Sequence, residues 1–521
     1  MILWLLVPRR RSLPLWLAVL LLALGLRLPS VWAGLPYTNY IDEGHIFHRV
    51  VRMVHTGSWD PGWYLYPSLP LYAVAATVSV YRPIYSAFHD RPLAADLSPF
   101  PPRYYDQVAP AEVLVLGRLV TLAASLGIVV LTGLLARLLA GEAAGLFAAL
   151  LAALLPALVI RGASVTVDPY ATFFVLAALY FAERAWRGGR PWRDSILAGV
   201  MIGCALTSKY PSVLVAAAVV PALLRIEGGW RRRVRAVELA TGAALLAAAV
   251  TMPALVVKNG EVLTDVVRQS MRYGGRPIGS YWDQAVRRAE WDQPLDAPEL
   301  GLPFLTLAVL GGIVALWDRR FRGTALTAAV FAGALGLLVT HFPFRPFRNL
   351  LPLVPLACLL VALLFAWIRE RLRRPAWGDL AAVLLALVLF LPSGIAYARE
   401  RSVLADSRVQ AVDWLAKRAG PGEVVLVSEE LALQRSELAR MESAVLELDA
   451  GRSRVRLRRR EDVQYVVTGD FGGRGGLGLP DFIEMGKARA PFELVARFGE
   501  RPGTGIWRTN RQLVFIFRRI L

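Results

Sequence analysis

Tyr37-Thr-Asn-Tyr-Ile-Asp-Glu-Gly-His45 follows closely on an apolar run, residues 13–32, that is long enough to cross a hydrocarbon core. The adjacent carboxylates Asp42 and Glu43 are costly to hold at a membrane surface unless something uses them. Apolar runs of similar length recur over the next 350 or so residues, each sufficient for a span. The stretch therefore reads as an acidic pair at the mouth of a polytopic membrane protein, and the chemistry is expected at the bilayer edge.

Composition agrees. Of 521 residues 56% are hydrophobic, above the roughly 45–50% of soluble domains. The formal net charge of +19 raises the question of nucleic acid. The arginines cluster in short loops between apolar runs, as the positive-inside rule requires, and nucleic acid is not expected as a partner. Cys204 and Cys358 both lie in apolar runs and offer neither a disulfide framework nor a zinc site. Arg9-Arg10-Arg11 before the first run suits a signal peptide, with Ser30-Val-Trp-Ala33 as a cleavage site. The run exceeds the usual signal core, which favours a retained first span.

Candidate spans are 13–32, 112–139, 143–161, 168–184, 195–208, 211–226, 238–257, 302–317, 323–340, 350–368 and 379–397, about eleven in all. Threading them places the arginine loops at 184–193, 231–235, 319–322 and 369–374 on the side of the N-terminus, the cytoplasm. Residues 66–88 are apolar enough for a further span, which would reverse every later loop. Pro67, Pro70, Arg82 and Pro83 point instead to a re-entrant or interfacial helix pair. The outer face then receives the loop 33–111, the turn at Asp168, the loop 258–300 and everything after about 398. The tail is charged, with strand-like runs Glu423–Val427, Asp462–Val467 and Leu513–Phe517. Helical stretches lie near Val409–Arg418 and Glu429–Met441, and Gly-rich turns near 469–478. The fold expected is a polytopic α-helical domain, 1–397, with a small soluble α/β domain, 398–521, outside the membrane.

Several residues have the chemistry for a site. Asp42, His45, Arg49 and Arg52 recur at helical spacing and share a face. Two readings of Asp42 stand side by side: a general base at a cavity mouth, or an acid favoured by the helix dipole. His45 and His48 have metal-compatible spacing but no further ligand set, and surface histidines are the simpler reading. Asp168, in Thr166-Val-Asp-Pro-Tyr170, is either an N-terminal helix acid or a second functional acid on the same face. Lys209 lies between two apolar runs too close for a real loop, so it meets lipid headgroups or a bound anion. Arg345 and Arg348 are outer-face cations against the positive-inside bias, and phosphate recognition accounts for them. The loop 258–300 adds Arg268, Arg272 and Arg276, and Gly274–Gly279 resembles a lid. Walker A and Rossmann glycine patterns are both missing.

The ordered set of motifs is similar to a known family. Asp42-Glu43, then Met53-Val-His-Thr-Gly-Ser-Trp-Asp-Pro61, then Tyr66-Pro-Ser-Leu-Pro70 resembles the first outer loop of GT-C glycosyltransferases. The likeness is to glycosyltransferase family 39, the dolichyl-phosphate-mannose protein mannosyltransferase and aminoarabinose transferase branch. Val167-Asp-Pro-Tyr170 resembles its second acidic site. Thr207-Ser-Lys209 resembles its Thr-Lys motif with one residue inserted, and Arg348-Asn-Leu-Leu-Pro352 its Arg-Tyr-Leu-Leu-Pro with Asn349 for Tyr. Gly57-Ser-Trp59 stands for Gly-Asp-Trp, and Ser68 for a second proline. The likeness covers about residues 1–400.

The resemblance implies inverting sugar transfer from a polyprenyl-phosphate carrier to an acceptor hydroxyl of a protein, lipid or glycan, in a bacterial plasma membrane. Asp42 becomes the general base. Glu43 and Asp168, with His45 beside them, position acceptor or sugar or hold a divalent metal; no other cofactor is implied. Lys209, Arg348, Arg345, Arg272 and Arg276 receive the carrier phosphate. A transporter or lipid flippase is the alternative. Such proteins place ionisable groups near the midplane or repeat their halves, and neither pattern is visible here. A membrane-anchored binding module built on the tail is a third possibility.

Overall fold

The structure, a computed structural model, describes residues 12–38, 41–89, 92–93, 110–272, 300–342, 347–402, 406–428, 431, 444–448, 463–469, 492–499 and 514–519. Contacts divide the chain into two compact units. The first takes in 1–31, 52–84 and 116–400, and the second 32–51, 85–115 and 401–521.

The first unit is helical. Among the described residues five helices are long and apolar enough to cross a membrane: Leu13–Trp32, Ala111–Ala140, Trp230–Thr251, Arg319–His341 and Pro375–Arg399. Shorter apolar helices run over Glu142–Leu154, Tyr210–Leu223, Leu302–Trp317 and Leu353–Arg369. Gly141, at φ 85, bends the chain between two of the expected spans, a conformation that favours glycine. Small residues let neighbouring backbones approach. A Cβ on Gly199 would lie 2.0 Å from the Ala240 carbonyl oxygen, and one on Gly311 2.2 Å from that of Leu360. Arg27, fully buried, ends Leu13–Arg27, the first helical segment of the span Leu13–Trp32, and staples the bundle. Its guanidinium donates to the carbonyls of Ala23, Ala152 and Ala153 and to Ser125 Oγ, so its charge is met by four acceptors.

Leu69–Phe88 is one continuous helix, not the expected pair. Pro70 sits in its first turn, where a missing N–H costs nothing, and the helix tolerates Pro83 inside it.

The second unit contains a five-stranded sheet of order β2-β1-β3-β5-β4, formed by Val424–Ser428 (β1), Ala444–Leu448 (β2), Val463–Gly469 (β3), Phe492–Phe498 (β4) and Val514–Arg519 (β5). β1 pairs parallel with β2 and β3, and β5 pairs antiparallel with β3 and β4. Alternate residues Val425, Val427, Tyr465, Val467, Val514 and Ile516 point to one face and pack on Ala411, Val412 and Leu415 of the helix Ser407–Ala416. Tyr37 is part of this core, with the Arg408 guanidinium 3.7 Å from its ring centre. Asp406 caps that helix and holds the buried Arg408 through two bonds of 2.9 Å. The expected helix at Glu429–Met441 and the Gly-rich turns lie, but for Leu431 and for Gly469 at the end of β3, outside the described residues.

Candidate active site

Ile41–Thr56 is a helix, so the expected amphipathic stretch starts at the acidic pair. Asp42 and Glu43 fall in its first turn, where the helix dipole favours negative charge. They are 5% and 0% exposed, which separates them from ordinary solvated helix-end acids. His45 is half-buried. These three residues belong to the second unit.

The remaining placed candidates belong to the first unit. Thr166 adopts an extended conformation and Pro169 fits the first turn, so the helix Val167–Trp186 starts with Asp168 buried at its tip. The helix Pro191–Ser208 stops because Pro211 cannot donate to the next carbonyl in register. Lys209 is therefore extended, at φ −156 and ψ 120, and the chain resumes as a 3-10 turn over Tyr210–Val215. This break turns a lysine between two apolar runs into a fixed group. Its Nζ donates to Asp168 Oδ1 at 2.5 Å and to Asn349 Oδ1 at 2.7 Å. An ammonium has three hydrogens, and these two acceptors take two of them.

Lys209 and Asn349 border a cavity of about 390 Å³. The rest of its lining is largely apolar: Leu65, Tyr66 and Pro67 from the segment after Trp63, Val213 and Leu214 from the broken helix, Val266 with Gln269 and Ser270, and Leu335, Leu338, Val339 and Phe342. An apolar space with a cation at its edge fits an amphiphile with an anionic head and a hydrocarbon body.

Arg348 lies in the 3-10 turn Phe347–Leu350, which also carries Asn349. Arg161, which sequence reasoning passed over, stacks on Phe347 at 5.2 Å. Arg272 ends the helix Asn259–Arg272, with its side chain outside the described residues; Arg276, Arg345 and the Gly274–Gly279 stretch also lie outside them. Among the described residues, no three His, Cys, Asp or Glu side chains gather as a metal site. The structure thus joins Asp168 and Lys209, and adds Asn349, which the sequence marked only as a departure from a motif. A helix start, a helix break and a turn, distant in sequence, build this contact, so no local spacing announces it.

Comparisons with known proteins follow the same line. The family model described as dolichyl-phosphate-mannose-protein mannosyltransferase matches residues 112–257. A search of curated proteins gives no match. ArnT from Cupriavidus metallidurans bound to undecaprenyl phosphate is similar at TM-score 0.55 and 14% identity, over 98% of each chain. Its apo state is similar at TM-score 0.51 and 14% identity, over 97% of each chain. The oligosaccharyltransferase AglB from Archaeoglobus fulgidus, in complex with an inhibitory peptide and a dolichol-phosphate, gives 0.48 and 13%, over 88% of this chain and 69% of that one. The matched stretch and the shared architecture bear out the resemblance carried by the motifs: the chain has the membrane fold of the GT-C glycosyltransferases, with a small C-terminal sheet.

Proposed function

We propose that this protein is an inverting glycosyltransferase that moves a sugar from a polyprenyl-phosphate carrier to an acceptor hydroxyl. The observation that carries this reading is Lys209, fixed by Asp168 and Asn349 at the edge of a largely apolar cavity of about 390 Å³. A polyprenyl phosphate has the matching chemistry, and ArnT, of similar fold, has been solved with undecaprenyl phosphate bound.

In this reading Asp42 accepts the proton of the acceptor hydroxyl as its oxygen forms a bond to the anomeric carbon. The bond from that carbon to the carrier phosphate breaks on the opposite side, and its electron pair leaves with the phosphate. Phosphate is a good leaving group, so no general acid is needed. Lys209 and Arg348 stabilise the charge that collects on its oxygens. Asp168 acts on Lys209, holding the ammonium in place. Glu43 and His45 position the acceptor. Residues 1–397 form the membrane domain and 398–521 an extracytoplasmic domain in a bacterial plasma membrane. Tyr37, packed into the core of the sheet, ties that domain to the segment leading into Asp42.

The test uses membranes given labelled polyprenyl-phosphate sugar. Asp42→Asn is expected to abolish transfer while leaving carrier binding intact, and Lys209→Met to weaken both. Undiminished transfer by Asp42→Asn removes the base from the mechanism.

A further inference from the structure

One wall of the cavity is assembled from two segments far apart in the chain. Leu65, Tyr66 and Pro67 come from the stretch after the first outer-loop helix, and Val266, Gln269 and Ser270 from the helix Asn259–Arg272. Tyr64 meets Val262, Met252 and Ala254 in a small apolar cluster, with Tyr210, Leu255 and Val266 packed against it. Polar bonds join the two segments as well. Lys258 Nζ donates to Asp60 Oδ2 at 2.7 Å, across 198 residues of sequence. The Tyr64 hydroxyl donates to Asp60 Oδ1 at 2.7 Å. The Tyr64 backbone N–H donates to Asp265 Oδ2 at 2.8 Å, and its carbonyl accepts from the Tyr210 hydroxyl at 2.7 Å. Tyr210 is the neighbour of Lys209, so the same knot reaches the cation that would meet the phosphate.

Asp60 is the hub. Its Oδ1 also accepts from Gly62 N–H at 2.9 Å, closing a turn in which Gly62 has φ 57. Burial alone would push this carboxyl up, but the bonds from Lys258, Tyr64 and Gly62 hold it down, to about 2. It is ionised throughout the physiological range.

We propose that Asp60, through Lys258 and Tyr64, is a positioning residue for the lipid carrier, fixing the two-segment wall so that a bound phosphate meets Lys209 in one geometry. This rests on the reading of the cavity as the carrier site. Asp60 touches neither phosphate nor sugar in this scheme. Loosening the wall therefore costs carrier affinity, while the reacting groups keep their chemistry once the carrier is seated.

The experiment measures binding of undecaprenyl phosphate to the full-length protein in nanodiscs, with KM and kcat for labelled polyprenyl-phosphate sugar alongside. Both partners of the ion pair are 39% exposed, so Asp60→Asn and Lys258→Met should each weaken binding by about three- to fivefold. KM should rise in parallel and kcat stay nearly constant. The double variant should be no weaker than either single one, since both remove the same bond. Lys258→Arg should restore most of the affinity, which a loss of folding would not allow. Wild-type affinity in Asp60→Asn and Lys258→Met, or losses that simply add, overturns the positioning role. If Lys209→Met binds as the wild type does, the cavity is not the carrier site and both readings fall together. Loss in Lys209→Met with none in Asp60→Asn sinks the positioning role alone.

Discussion

The two ends of the helix Val167–Trp186 treat positive charge differently. Near Trp186 the arginines are absorbed into the scaffold. Arg184 forks onto the buried Asp194, Arg187 reaches Glu183 and the Arg320 carbonyl, and Arg225 donates to Gly323 O and Thr327 Oγ1. Arg320 in turn is gripped by Asp318 and Glu370. A planar fork matched to carboxylates and carbonyls has its donors spent on structure. At the Asp168 end a lysine is set by a helix break at the edge of a cavity and held by one acid and one amide oxygen. An ammonium with capacity to spare beside an apolar space is suited to receive an anion. Arginine builds one end of this unit, and lysine is positioned for work at the other.

Lys209→Met is the sharpest way to break that contrast. Loss of one charged donor to a developing oxyanion costs about 10²–10³-fold in rate, so transfer per folded molecule should fall by that factor. The melt should fall too, because the Asp168 side chain is 3% exposed and loses its partner. Arg184→Met should lower the melt alone. Asp194 is fully buried, and removing its partner leaves an uncompensated charge that costs about 3 kcal/mol or more. The melting temperature should drop sharply, while transfer per folded molecule holds. If Arg184→Met lowered transfer per folded molecule as Lys209→Met does, the division of labour between the ends would fail.

Much of the scaffold was legible because the bilayer imposes a simple code. Long apolar runs, arginine loops and the acidic pair follow from solvation, and each can be read without knowing what packs where. Pro70 shows where that code runs short: a proline in a first turn looks from the sequence like a break, yet starts a helix. Arg27 is a second case. Its buried charge is visible in the sequence as an arginine in an apolar run, but its acceptors Ser125, Ala152 and Ala153 come from a distant part of the chain. In the sheet, β4 carries the alternation Phe492, Leu494, Ala496, Phe498, a weaker strand signal than the more continuously apolar β1, β3 and β5. The candidate site followed the same rule. Its acids and cations could be named singly, whereas the Asp168–Lys209–Asn349 contact and the Asp60–Lys258 bridge depend on tertiary neighbours.

Acid titration gives the smallest and most discriminating comparison. At the arginine end, hydrogen bonds from Arg320 hold both Asp318 and Glu370 below the ordinary carboxylate range. A carboxylate whose folded value is depressed contributes stability above its unfolded pKa and loses it as pH falls through the folded value. Asp318 and Glu370 should therefore support folding at neutral pH and release that support below about pH 4. The pairs with Arg320 are partly exposed, so each is worth at most about 1 kcal/mol. Arg320→Met should flatten the acid limb of the stability curve by that amount and leave the neutral-pH affinity for undecaprenyl phosphate unchanged. Asp60 has a folded value of about 2, so in the wild type the clasp at the other end persists to lower pH than a free carboxylate would allow. Carrier affinity measured from about pH 5 down to about 3, where the carrier phosphate (second pKa about 6) is already a monoanion, should accordingly stay level while the arginine end loses its support. A parallel fall of the two across that range would mean that the ends titrate as one unit, with the arginine network shaping the carrier cavity as well as the scaffold.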